Sequence, residues 1–125
     1  MSMHPTDSEL EILNILWANG PNNVRFINEK LNQKREVGYT TTLKIMQLMF
    51  EKGLITRDDS NKTHIYKSNI KEGKTKQSLL QNFVQNTFNG SMKALVVEAL
   101  GEGSSSKEEL DEIKRFIKSI QEKEQ

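Results

Sequence analysis

Residues 38–67 read GYTTTLKIMQLMFEKGLITRDDSNKTHIYK, and they decide the fold. At about 100° per residue, Thr42, Ile45, Met46 and Met49 gather on one side of a helix starting near Thr40, flanked by Leu43 and Phe50. Thr40, Lys44, Gln47 and Glu51 take the other side, with Thr41 and Leu48 at its margin. Gly53 caps this helix. Leu54-Ile55-Thr56-Arg57 then reads as a strand, residues 58–62 as a turn, and Thr63-His64-Ile65-Tyr66-Lys67 as a second strand. The pair makes a β-hairpin.

Two helices precede this stretch. Thr6-Asp7-Ser8-Glu9 has capping-box spacing, and Leu10, Leu13, Leu16 and Trp17 follow at helical intervals, widened by Ile12 and Ile15. Asn19-Gly20-Pro21 stops that helix, and Asn22-Asn23-Val24 reads as a short extended connector. The second helix carries Phe26, Ile27 and Leu31 and ends in the polar run 32–36. Three helices closed by a hairpin within about 70 residues predict a winged helix-turn-helix, mainly α with a small β-hairpin.

Beyond Ile70 the pattern becomes helical throughout. Leu79, Leu80, Phe83, Val84 and Phe88 recur at helical spacing up to Asn89-Gly90. Met92 to Leu100 is short and apolar on nearly all sides, and residues 101–105 form a flexible glycine-serine break. Ser106-Lys107-Glu108-Glu109 reads as a second capping box, opening a helix with Leu110, Ile113, Phe116, Ile117 and Ile120 on one face. Residues 121–125 are expected to fray. The expected division is a winged-helix DNA-binding domain over 1–70 and a helical dimerisation region over 71–125.

Composition excludes several classes. The 125 residues contain no cysteine, which removes disulfide scaffolds, thiol catalysis and cysteine-based metal sites. No apolar run exceeds four residues, and the first twelve residues have neither a basic nor an apolar leader pattern. A cytoplasmic protein with no membrane insertion is expected. His4 and His64 lie too far apart in sequence to suggest a metal pair, and His64 reads as an ordinary wing residue. No Ser-His-Asp set or phosphate-binding glycine loop occurs, so neither an enzyme nor a cofactor is expected. Residues 1–69 hold 9 basic and 8 acidic residues, a net +1, so any nucleic-acid contact must come from placed charges.

Two functions fit this frame. In the first, the third helix enters a major groove: Lys44 bonds guanine or phosphate, Gln47 pairs adenine, and Tyr39, Thr40 and Thr41 meet methyls or phosphates. Asn61, Lys62 and Thr63 at the wing touch phosphates or the minor groove, with Arg25, Lys30, Lys34 and Arg35 adding charge around the second helix. The face is mostly small and uncharged, unlike the Glu and Lys of plain solvation. Leu79, Leu80, Phe83, Val84, Leu95, Val96, Leu110, Ile113 and Ile117 would pack against a second copy, since the C-terminal helices hold too little material for a core of their own. In the alternative, the third helix docks a protein and the winged helix never binds DNA.

The residues also resemble a known family. Ser8 to Trp17 with Gly20-Pro21, Gly38-Tyr39-Thr40-Thr41, Phe50 to Ile55 and His64-Ile65-Tyr66 are similar to the penicillinase repressor family of BlaI, MecI and CopY. Gly90-Ser91 with Leu95-Val96, then Glu108-Glu109-Leu110 and Ile113, match its dimerisation arm, so the resemblance spans roughly residues 6–120. It implies a homodimeric repressor on palindromic double-stranded operator DNA. In the β-lactam branch it also implies a membrane sensor with a metallopeptidase domain, and release by cleavage in the arm. Thr42, Lys44 and Leu48 stand where the family usually has valine, threonine and arginine, so the operator sequence is not carried over. Glu98-Ala99 occupies the place of the scissile Asn-Phe bond, and the copper branch's cysteine motif is missing.

Overall fold

The computed structural model describes residues 4–101, 103 and 105–124. Among them the order is α1 (Asp7–Asn19), α2 (Val24–Asn32), α3 (Tyr39–Lys52), β1 (Ile55–Asp58), β2 (Ile65–Ser68), α4 (Glu72–Phe88), α5 (Met92–Gly101) and α6 (Lys107–Lys123). The chain divides into two compact units, Met1–Leu79 and Leu80–Gln125.

In the first unit, α1 opens on a complete capping box. Thr6 N donates to Glu9 Oε1 at 2.9 Å and Glu9 N donates to Thr6 Oγ1 at 3.2 Å, satisfying two orphan donors reciprocally. Leu10, expected in the apolar stripe, is only half-buried, and Glu9 takes the buried place beside Ile12, Leu13 and Leu16. A buried carboxylate needs a partner, and Lys52 Nζ donates to Glu9 Oε2 at 2.7 Å from the far end of α3. Burial alone would raise the Glu9 carboxyl's pKa, but the hydrogen bonds from Lys52 and Thr6 and the lysine's charge together hold it below the ordinary value.

Val24 is not part of an extended connector. Asn23 is an N-cap whose side chain accepts from Phe26 N at 2.8 Å, so Val24 is the first residue of α2 and is buried. Asn22 and Asn23 stay extended, and Asn22 exchanges both backbone hydrogen bonds with Tyr66 as an isolated bridge beside the hairpin. α3 begins at Tyr39, one residue before Thr40, with Gly38 as its N-cap. Thr42, Met46 and Met49 face inward, and they share one core with Ile12, Leu13, Leu16, Val24, Ile27, Leu31, Leu54, Ile55 and Tyr66. Ile45, Leu43 and Trp17 pack around its edge.

Gly53 ends α3 in the left-handed conformation, φ 83°, where a side chain would be strained. Leu54 N donates to Met49 O at 2.9 Å, so Leu54 belongs to the helix cap and β1 starts one residue later than expected. The antiparallel register pairs Ile55 with Ser68 and Asp58 with Ile65. Pairing stops there, which leaves Thr63 and His64 on the connecting turn and not in a strand. Asp58 Oδ1 accepts from Ser60 N at 2.9 Å and turns the chain back. At the wing's exit, Trp17 Nε1 donates to Ser68 Oγ at 2.9 Å and to Ile70 O at 3.1 Å.

In the second unit, Asn89 (φ 52°) and Gly90 (φ 82°) terminate α4 in left-handed conformations. Val84 is the one buried residue among those described there, and Phe83 meets Phe88 edge-on at 5.8 Å. The second capping box is half made. Ser106 Oγ accepts from Glu109 N at 3.0 Å, with no return bond from the Glu109 side chain. α6 continues through Lys123, so residues 121–123 are helical and not frayed. Of the expected break at 101–105, Gly101 closes α5, while Glu102 and Ser104 lie outside the described residues, as does Gln125.

Candidate nucleic-acid interface

The core fixes which face of α3 meets solvent. With Thr42, Met46 and Met49 inward, Thr40, Thr41, Lys44, Gln47 and Glu51 are all exposed. Neither Lys44 nor Gln47 makes a hydrogen bond or ion pair to another described residue, so both are available to a ligand.

The pitch of α3 is set from α2 by two asparagines. Asn28 Nδ2 donates to the Thr42 hydroxyl at 2.8 Å and to Val37 O at 3.0 Å. Asn32 Nδ2 donates to Val37 O at 2.8 Å, and its Oδ1 accepts from Val37 N at 3.1 Å. Because Thr42 is fully buried, its hydroxyl needs such a partner, and the bond ties α3 to α2 near the start of the exposed face.

Four of the other expected residues meet in a cleft of about 380 Å³. Arg25 from the first turn of α2, Tyr39 from the start of α3, and Lys62 and Thr63 from the wing all line it. Asn23 and His64 line it too, neither of them expected to contribute. His64 read as ordinary because a strand would have paired it; the early end of the hairpin ladder turns it into the cleft's wall. Thr41 lines a separate hollow with Arg35, Val37 and Gly38, while Thr40, Lys44 and Gln47 remain on the outer face of the helix.

Charge is distributed unevenly. Arg35 pairs with Glu11 and Lys52 with Glu9, so both are engaged within the fold. The Arg35 guanidinium is raised above its ordinary value by that hydrogen bond first and by the carboxylate's charge second. Arg57 stacks over Phe50 at 4.5 Å with Nε 2.7 Å from Asp59 Oδ1, and contact with Asp59, then with Tyr66, raises it likewise. His64 Nδ1 lies 3.6 Å from the same carboxylate oxygen. Arg25 is held only loosely, 3.8 Å from Glu29 with both side chains mostly in solvent, a contact worth little.

The expected dimerisation residues are unevenly placed. Leu80, Phe83, Val96, Leu110 and Ile117 are exposed, Leu79, Leu95 and Ile113 are half-buried, and Val84 is buried within the chain itself. Met92, Val97, Phe116 and Ile120 are also exposed, Phe116 to 65%. Among the described residues there is no group of three His, Cys, Asp or Glu side chains able to hold a metal. No helix among them is long and apolar enough to cross a membrane.

Three packed helices, a two-stranded wing and a solvent-facing third helix define a winged helix-turn-helix of the DNA-binding class. The solved DNA-binding domain of the repressor BlaI shares this fold, with TM-score 0.50 and 22% identity over 58% of this chain and 90% of that one. The Bacillus licheniformis BlaI monomer, solved in complex with the blaP half-operator, matches with TM-score 0.50 and 21% identity over 58% of this chain and 92% of that one.

The family model described as penicillinase repressor matches residues 5–119, and the chain belongs to that family. It is similar to the penicillinase repressor of Staphylococcus aureus, 25% identical over 93% of this chain and 92% of the relative. It is also similar to the methicillin resistance regulatory protein MecI of Mammaliicoccus sciuri, 24% identical over 90% and 91%. The family is one of transcriptional repressors and not an enzyme class.

Proposed function

We propose that this chain is a cytoplasmic transcriptional repressor that binds a palindromic operator as a homodimer, each copy laying α3 in a major groove. The observation that carries this is the outer face of α3, where Thr40, Thr41, Lys44 and Gln47 are exposed beside a cleft walled by Arg25, Lys62 and Thr63. Lys44 and Gln47 supply base-edge hydrogen bonds, the threonines meet methyls or phosphates, and the cleft residues contact the backbone and fix register. An electrophoretic shift with the gene's own promoter tests it: binding should fall steeply between low and moderate salt. No shift at micromolar dimer would sink it and leave the protein-docking alternative.

The functional division we assign is a reading head over 1–70 and a dimerisation arm over 71–125. The arm's exposed Leu80, Phe83, Leu110, Phe116 and Ile117 support a second copy as its cover, because that much apolar surface is unusual on a unit with a single buried residue. A twofold dimer offers two reading helices to two half-sites. Sedimentation should give a dimer for the wild-type chain and a monomer for the Phe116→Ser/Ile117→Ser double variant.

Relief follows from losing the dimer, since each half keeps only half the contacts. Cleavage within residues 90–105, where the short apolar α5 meets the glycine-serine stretch, by a sensor-linked membrane metallopeptidase is the step we assign. A matching peptidase that derepresses transcription while leaving this segment intact would refute that assignment.

A further inference from the structure

We propose that the cleft between α2, α3 and the wing is a clamp for one phosphate group of the DNA backbone, with Arg25 and Lys62 gripping the same phosphate from opposite elements. The inference rests on the repressor function proposed above. It adds that two cations separated by 37 positions in sequence act on one ligand group and not on two.

The cleft has the chemistry of an anion site. Arg25 and Lys62 line it, the Thr63 and Tyr39 hydroxyls and the His64 ring add polar contacts, and no lining residue carries a carboxylate. Two acids lie beside lining residues without lining the cleft: Glu29 is next to Arg25, and Asp59, 3.6 Å from His64, holds Arg57 at 2.7 Å. Lys62 makes no ion pair among the described residues, and Arg25's 3.8 Å contact through solvent is easily exchanged. Asn23 uses its side-chain oxygen to cap Phe26 N, and as a neutral amide it brings no negative charge into the cleft. Tyr39 opens α3, so a phosphate seated here sits where the reading helix begins and sets how α3 enters the groove. A volume of about 380 Å³ is ample for a phosphate group.

The test uses the full chain and its promoter fragment, comparing Arg25→Gln, Lys62→Gln and the double variant. All are exposed surface changes, so their melting temperatures should match the wild type. The logarithm of affinity falls with the logarithm of salt by about 0.9 per phosphate neutralised. With one shared phosphate, each single variant loses up to about fivefold in affinity yet keeps the wild-type slope, because one cation still neutralises the group. The double variant then becomes shallower by about 1.8, about 0.9 for the cleft of each copy in the dimer. Two separate phosphates per copy would lower the slope by about 1.8 in each single variant and about 3.6 in the double, which would overturn the clamp. Saturation of the Tyr39 and His64 NMR signals by micromolar inorganic phosphate, with an unaltered slope in the double variant, would assign the cleft to a free anion and also overturn it. A wild-type chain that binds no DNA at any salt refutes the repressor function itself, a result distinct from every slope pattern, and the clamp falls with it.

Discussion

Removing the Asn28 side chain should loosen α3 in a way that both stability and DNA binding report. In Asn28→Ala, the fully buried Thr42 hydroxyl loses its 2.8 Å donor and keeps only a stretched 3.4 Å contact to Gly38 O. Val37 O loses one donor but retains Asn32 Nδ2 at 2.8 Å, so its share of the cost is small. One lost hydrogen bond plus an under-satisfied buried hydroxyl costs about 2 kcal/mol. In a unit of this size that lowers the melting temperature by roughly 8–16 °C. Thr42→Val removes the hydroxyl and strands an amide that is only half-buried and can take water, at about 1 kcal/mol. In the double variant neither group is stranded, so its cost should fall to about 1 kcal/mol for the lost bond, below that of Asn28→Ala alone, a coupling of about 2 kcal/mol. Thermal melts followed by circular dichroism measure the cycle. Operator affinity of Asn28→Ala should fall with the salt slope unchanged, because no cation has been removed. A cycle that is additive within about 0.3 kcal/mol would refute the claim that this bond ties α3 to α2.

Further outcomes follow from other contacts. Glu9 is held ionised below the ordinary carboxylate range, so its stabilisation is complete above about pH 4.3 and is lost as pH falls through the lowered folded value. The melting-temperature gap between wild type and Glu9→Gln should therefore be constant above the ordinary carboxylate range and close as pH falls through the lowered folded value; a gap that does not close on acidification would contradict the pairing with Lys52. Lys44→Ala should cost about 1–3 kcal/mol in operator binding and relax sequence preference if it reads a base. An equal loss on every sequence would make Lys44 a phosphate contact.

What could be read from the sequence was what is local or periodic. The Thr6–Glu9 capping box, the Gly53 stop and the inward turn of Thr42, Met46 and Met49 depend on neighbours within one or two helical turns, and all are in place. Contacts across the sequence were not legible. Glu9 is buried only because Lys52, 43 positions away, meets it, so the pattern put Leu10 in the buried stripe in its stead. Val24 looked extended because it is β-branched and follows two asparagines, although Asn23 caps a helix. The cleft was half legible: Arg25, Tyr39, Lys62 and Thr63 stood out by charge or position, but their meeting, and His64's place beside them, follow from where the hairpin ladder ends.

Trp17 is the chain's single tryptophan, and its indole N–H is held by Ser68 and Ile70 with the Lys76 ammonium 5.6 Å from the ring. The protein thus carries one indole fluorophore, placed at the seam where the wing ends and α4 begins. Its emission should shift to the red when that seam opens to water. Light absorbed at one residue would then time the undocking of wing from helix during unfolding, with no label attached.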